Sequence, residues 1–169
     1  MANKKTIVLN AKQIEQKINR IAYEIYENNY DEKEIIVAGI ADSGYKLAQR
    51  IEKVLKSISG MKTSLIEISL NKKSPLETKK ETKINSKDIE GKVIILVDDV
   101  LNSGKTLIYG AKLFLHAPVK KLSTVVLVDR NHTRYPVKAD YVGLSLSTTM
   151  QEHIAVDLNG KDKDVVFLE

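Results

Sequence analysis

Three stretches of the chain are apolar almost without a break: EIIVAGI at 34–40, KVIILVDD at 92–99 and STVVLVD at 123–129. A strand with one face in water alternates apolar and polar residues, whereas a strand covered on both faces need not. Between these runs lie helical patterns. Ile14, Ile18, Ile21 and Ile25 recur at helical spacing within 11–29, and Leu47, Ile51, Val54 and Leu55 do so between Gly44 and Gly60. Thr106 to His116 reads as a third helix, stopped by Pro118. TSLIEISL at 63–70, ADYVGLSL at 139–146 and DVVFLE at 164–169 read as further strands. Alternating strands and helices of this kind imply an α/β fold, a mostly parallel twisted sheet flanked by helices. A length of 169 residues suits one domain spanning 1–169 with a sizeable core.

The end of the second run carries the most unusual chemistry. VIILVDDVLNSGKTL, residues 93–107, drives apolar sequence into Asp98 and Asp99 and then into Asn102, Ser103, Gly104, Lys105 and Thr106. A glycine-bearing turn between strand and helix can aim several backbone N–H groups at one point, and the helix N-terminus adds positive potential. With the hydroxyls of Ser103 and Thr106, this makes a cradle for a phosphate monoester. The acids need a different partner, either a sugar diol or magnesium. Together the two halves describe a site for a ribose 5-phosphate. A Walker A loop is excluded, because it needs glycine five positions before Gly104 and this chain has Asp99 there.

Other features set bounds. Net charge is +5, which suits a polyanionic or phosphorylated partner. Cysteine is absent, so there is neither a disulfide framework nor a thiolate metal site. His116, His132 and His153 stand apart, without metal-ligand spacing. No stretch reaches membrane-spanning length, and a cytoplasmic protein is expected. Residues 71–88 lack apolar periodicity, are rich in lysine, and separate two strands; a flexible lid is expected there.

Residues 93–107 resemble the phosphoribosyl pyrophosphate (PRPP) signature of type I phosphoribosyltransferases. INRIAYEI at 18–25, VAGIADSGYKLAQRI at 37–51 and VVLVDRNHTRYPVKADYVGLSLSTT at 125–149 resemble the pyrimidine-operon attenuation regulators with uracil phosphoribosyltransferase activity (the PyrR family). The resemblance implies the type I phosphoribosyltransferase fold, with a small hood and a lid. It implies transfer of ribose 5-phosphate from PRPP to a nucleobase, uracil first, with Mg2+ carried in by PRPP and an oxocarbenium-like transition state. Asp98 and Asp99 would hold the ribose hydroxyls as catalytic residues. Asn102, Ser103, Gly104, Lys105 and Thr106 would take the 5-phosphate, and Ala41, Asp42, Ser43 and Gly44 the pyrophosphate. Lys72 and Lys73 would belong to the lid, and Asp129, Arg130, Asp140, Tyr141 and Val142 would border the base. Arg20 and His132 match positions of a messenger-RNA-binding face, and the family suggests a homo-oligomer, a dimer or larger.

The pattern also departs from the family. Purine-using relatives usually carry an acid at position 102 and the pyrimidine subfamily a tyrosine; here it is Asn102. Asp42-Ser43-Gly44 stands where Thr-Arg-Gly is usual, and Asn71-Lys72-Lys73-Ser74 where Tyr-Arg-Asp-Asp is usual. Tyr23 and Leu144 replace a common histidine and lysine on the RNA face. Two other readings follow: an RNA-binding attenuator with vestigial catalysis, and a purine phosphoribosyltransferase.

Overall fold

The computed structural model describes residues 5–77 and 82–169. Residues 78–81, within the expected lid, lie outside the described residues. The elements run β1 (Thr6–Leu9), α1 (Ala11–Asn28), β2 (Glu34–Ile40), α2 (Ser43–Ile58), β3 (Lys62–Ile68), α3 (Ser86–Ile89), β4 (Val93–Leu101), α4 (Lys105–Lys112), β5 (Lys121–Asp129), β6 (Tyr141–Ser145), β7 (Ile154–Asp157) and β8 (Val165–Leu168). Short 3-10 turns occupy Pro75–Glu77 and Lys161–Lys163.

Five strands form a parallel sheet in the order β3-β2-β4-β5-β6. The chain first builds outward from β2 to β3, then returns to the other side of β2 and builds outward through β4, β5 and β6. The direction therefore reverses between β2 and β4, and a crevice opens beyond the carboxyl ends of those two strands. The uninterrupted apolar runs have the expected cause. Val37, Ile35, Val93, Ile95 and Val97 pack under α1 and α2, while Ile36, Ala38, Ile94 and Leu96 pack on the other face with Leu107, Ala111 and Phe114.

α1 begins where Asn10 and Gln13 cap each other, side chain to backbone in both directions at 2.9 Å. Its stripe of Ile14, Ile18, Ile21 and Ile25 is buried. A second sheet, antiparallel in the order β1-β8-β7, brings the two ends of the chain together as the expected hood. Leu9, Ile154 and Val166 from this sheet share the core under α1 and α2.

Two expectations need correction. α4 ends at Lys112 rather than at His116. Leu113, Phe114 and Leu115 donate to the carbonyls of Gly110, Ala111 and Lys112, so the chain tightens into three-residue turns before it reaches Pro118. β4 does not stop at its acids but passes through them to Leu101. Strict alternation would send one of two adjacent carboxylates into each core. The alternation breaks instead: Val97 and Val100 pack toward one core, and Leu96 and Leu101 toward the other. The break lies at Asp98 and Asp99.

α2 approaches β2 very closely. A Cβ added at Gly39 would lie 2.5 Å from the Tyr45 Cα and 2.7 Å from the Ala48 Cβ. Gly39→Ala must push α2 outward, and a loss of about 2 kcal/mol is expected. It should appear as a lower denaturant midpoint at unchanged slope. A midpoint equal to the parent's would show that the contact is not needed.

Candidate active site

The crevice between β2 and β4 is lined by strand-end residues. Ala41–Gly44 leaves β2 and turns into α2, which starts at Ser43. Gly44 presses on β4: a Cβ there would lie 2.9 Å from the Val97 carbonyl oxygen and 3.1 Å from Asp98 Oδ1. A side chain at this position would displace the acid below it. Asp98 is accordingly only 2% exposed.

A buried carboxylate needs partners. Asp98 Oδ1 accepts the backbone N–H of Asp99 at 2.9 Å and the Lys72 ammonium at 3.1 Å. The same ammonium reaches Asp99 Oδ1 at 3.3 Å, and that oxygen also takes the N–H of Val100 at 2.9 Å. Burial first, and then the charge of Asp99, push the Asp98 carboxyl up to about 7, with Lys72 opposing the rise. Burial works against the charge on Lys72, yet the two acids outweigh it and hold the ammonium above the ordinary lysine range. One cation from the root of the expected lid thus sits across two acids at the end of β4.

Next to the acids, Asn102–Thr106 turns into α4. Gly104 has φ +86° and, lacking a side chain, caps the helix without a side-chain bond of its own. Ser103 Oγ accepts the N–H of Lys105 at 3.3 Å. The turn is clamped from outside by residues that the sequence does not single out. Arg134 and Tyr135 donate their backbone N–H groups to the Ser103 carbonyl at 2.8 and 3.1 Å. Val137 packs so close that a Cβ on Gly104 would meet its Cγ1 at 2.4 Å. Lys105 Nζ donates to the Lys73 carbonyl at 3.1 Å, which ties the phosphate-type turn to the start of the lid.

The residues expected to border the base divide. Asp129 and Arg130 stand at the carboxyl end of β5; Asp129 caps the following turn by accepting the N–H of Asn131 at 2.8 Å. The Arg130 guanidinium is buried against Asn102 and the segment 148–152. Asp140 and Tyr141 do not border the site. Asp140 accepts the N–H of Thr124 at 2.9 Å, near the start of β5 and so toward the opposite end of the strands from the site. Tyr141 is buried in the core under α1, beside Asn28 and Asn29. Val142 packs on the α4 side, and its carbonyl accepts from Arg20 at 3.0 Å. Adjacent positions on a strand cannot all face one crevice, and the parallel register sets these three toward the beginning of β6.

Arg20 and His132, expected on an RNA face, are both engaged within the chain. Arg20 also donates to the Gly143 carbonyl at 2.8 Å and pairs with Glu24, which fastens α1 to β6. His132 Nε2 bonds to the Thr148 carbonyl. Among the described residues no group of three or more His, Cys, Asp or Glu could hold a metal ion, and no helix is long and apolar enough to cross a membrane.

The phosphoribosyl transferase domain model matches residues 5–159. The chain belongs to the phosphoribosyltransferase family. Within this family it is similar to proteins named Bifunctional protein PyrR. That of Streptococcus thermophilus is 34% identical over 164 residues, covering 94% of this chain and 95% of its own. That of Enterococcus faecalis is 35% identical over 162 residues, covering 92% and 90%. Among solved structures, the hypoxanthine phosphoribosyltransferase of Trypanosoma cruzi superposes with a TM-score of 0.76 at 18% identity, covering 97% of this chain and 96% of its own. A hypoxanthine-guanine phosphoribosyltransferase of Bacillus anthracis gives 0.70 at 23% identity, covering 86% and 84%. At such identities these two speak for the fold, which is that of the type I phosphoribosyltransferases.

The buried acid of this phosphoribosyltransferase has a consequence for stability. A carboxyl whose pKa is higher folded than unfolded binds its proton more tightly in the folded chain. Stability then falls as pH rises from the ordinary carboxylate range to about 7. Asp98→Asn removes that titration. Its melting temperature should vary less between pH 5 and 8 than the parent's, with the gain largest at pH 8. Parallel pH profiles for the two proteins would contradict the assignment.

Proposed function

We propose that the chain transfers ribose 5-phosphate from PRPP to uracil, giving uridine monophosphate and pyrophosphate. The observation that supports this best is the adjacency of the Asp98–Asp99 pair to the positive-φ turn at Gly104, at the point where the strand order reverses. One half suits a diol and the other a phosphate.

In this reading the 5-phosphate sits on Asn102–Thr106, against the first turn of α4. Asp98 and Asp99 accept hydrogen bonds from the ribose hydroxyls, and their negative charge stabilises the positive charge that develops on the ribose ring as its bond to pyrophosphate breaks. The new bond joins the anomeric carbon to a ring nitrogen of the base, which releases its proton to solvent. Ala41–Gly44 lies along the pyrophosphate. Lys72 must leave the acids when the diol arrives, and its ammonium is then free to turn toward the departing pyrophosphate. The lid that carries it excludes water from the ring.

The donor set also fits magnesium. Two hard carboxylate oxygens already hold a cation, the Lys72 ammonium, and two protein ligands suit an ion that arrives with its remaining oxygens supplied by substrate and water. Bound there through Asp98 and Asp99, magnesium would draw charge onto the leaving pyrophosphate.

Uracil is favoured by the likeness to PyrR proteins and by Asn102, which lacks the acid usual in purine-using relatives. Asp42, an acid beside the proposed pyrophosphate position, works against fast turnover. A regulatory role through messenger RNA is the second reading. It is supported by the same relatives and by the net charge of +5, and it needs cations other than Arg20.

The test is pyrophosphate release from PRPP and magnesium with each nucleobase in parallel. Release with uracil alone is expected. Asp99→Asn should lower kcat/KM by about 100-fold while the protein stays folded. Release with a purine alone would overturn the choice of base. An Asp99→Asn variant with the parent's kinetics would overturn the site.

A further inference from the structure

Arg130 was expected beside the base, yet its contacts are all with the protein. It is 5% exposed, and four of its five N–H donors are engaged on two separate pieces of chain. Nη1 donates to the Asn102 side-chain oxygen at 3.1 Å, at the entrance to the phosphate turn. Nε donates to Thr148 Oγ1 at 2.9 Å. Nη2 donates to the carbonyls of Thr149 at 3.1 Å and Glu152 at 2.6 Å. Its own backbone N–H is bonded to the Leu101 carbonyl at 3.1 Å, the last residue of β4.

The segment it grips is held at its end by His153, which exchanges backbone bonds with Glu169 at 2.7 and 2.9 Å, and has few bonds in between. Residues 146–153 connect β6 to β7 of the hood and contain no regular structure. Leu146 N–H bonds to the Asp129 carbonyl at one end, the His132 ring reaches the Thr148 carbonyl, and Glu152 closes the turn on the Thr149 N–H at 2.6 Å. Met150, at its tip, is 76% exposed. The segment therefore leaves β6 beside the carboxyl end of β5 and is fixed to the phosphate turn by one planar fork. A guanidinium can hold such a fork, whereas an ammonium is a single point.

We propose that Arg130 is a positioning residue that locks the 5-phosphate turn and the 146–152 segment into one frame, so that a ligand seated on the turn finds the base side of the site already built. It touches no substrate in this scheme. It acts through Asn102 on one side and through Thr148 and the two carbonyls on the other. This rests on the transferase reading above, since it assigns the phosphate to the turn and the base to the hood side.

The test compares two ligands that differ only in the base. Ribose 5-phosphate and uridine monophosphate are titrated calorimetrically into the parent, Arg130→Lys and Asn102→Ala. In the parent the nucleotide should bind more tightly than the sugar phosphate. In Arg130→Lys that advantage should shrink by about tenfold, with ribose 5-phosphate affinity held within about twofold. Asn102→Ala severs the same link and leaves the other Arg130 bonds in place. It should reduce the advantage in the same direction, and it keeps the test open if Arg130→Lys does not fold. A folded Arg130→Lys, or a folded Asn102→Ala, that keeps the parent's full advantage would overturn the proposal while leaving the transferase reading intact. A folded Arg130→Lys that loses both ligands equally would assign Arg130 to the phosphate turn alone and also overturn it. A parent that binds neither ligand would remove the transferase reading, and this inference with it.

Discussion

The site depends on placing two adjacent carboxylates at the end of a buried strand. Asp98 lies under Gly44 and has lost nearly all contact with water. Asp99 is next to it, and like charges at that spacing raise the energy of both. The fold meets this in three ways. β4 breaks its alternation, so that neither acid enters a core. Backbone N–H groups of Asp99 and Val100 turn onto the carboxylates. The Lys72 ammonium bridges the pair. The remaining strain is held in the raised pKa of Asp98. Buried like charges of this kind are more often found at binding sites than in a purely structural core.

The elements around the acids are tied to one another. Lys72 lies at the start of the expected lid, and Lys105 of the 102–106 turn donates to the Lys73 carbonyl. The turn in turn is clamped by Arg134, Tyr135 and Val137, and it is tied to the hood through Asn102 and Arg130.

Much of this was legible in residues whose patterns are local. The apolar runs at 34–40, 93–97 and 123–129 point to buried parallel strands because they are short and rich in β-branched residues, and Asp98 to Thr106 marks a strand-to-helix turn by its change to acids, hydroxyls and glycine. β1 and β7 were not legible. Each has four residues, and β1 gains its order from β8 at the far end of the chain, a pairing that local sequence does not record. Asp140 and Tyr141 misled because similarity of a stretch says nothing of which side of the sheet each residue faces. The bonds of Arg130 could not be read either: the resemblance places it near the base, and only the folded chain shows that its donors meet Asn102, Thr148 and two carbonyls. The pairing of Lys72 with the acids could not be read, because it joins a loop to a strand across the crevice.

The most direct measurement follows the Asp98 carboxyl carbon by NMR across pH, in the free protein and with PRPP and magnesium bound. The free protein should titrate near 7. With ligand bound, the midpoint should fall, because hydroxyls and a cation favour the charged form. An Asp98 signal that titrates in the ordinary carboxylate range without ligand, or one whose midpoint PRPP and magnesium leave unmoved, would contradict the account that this acid pair is the seat of the substrate.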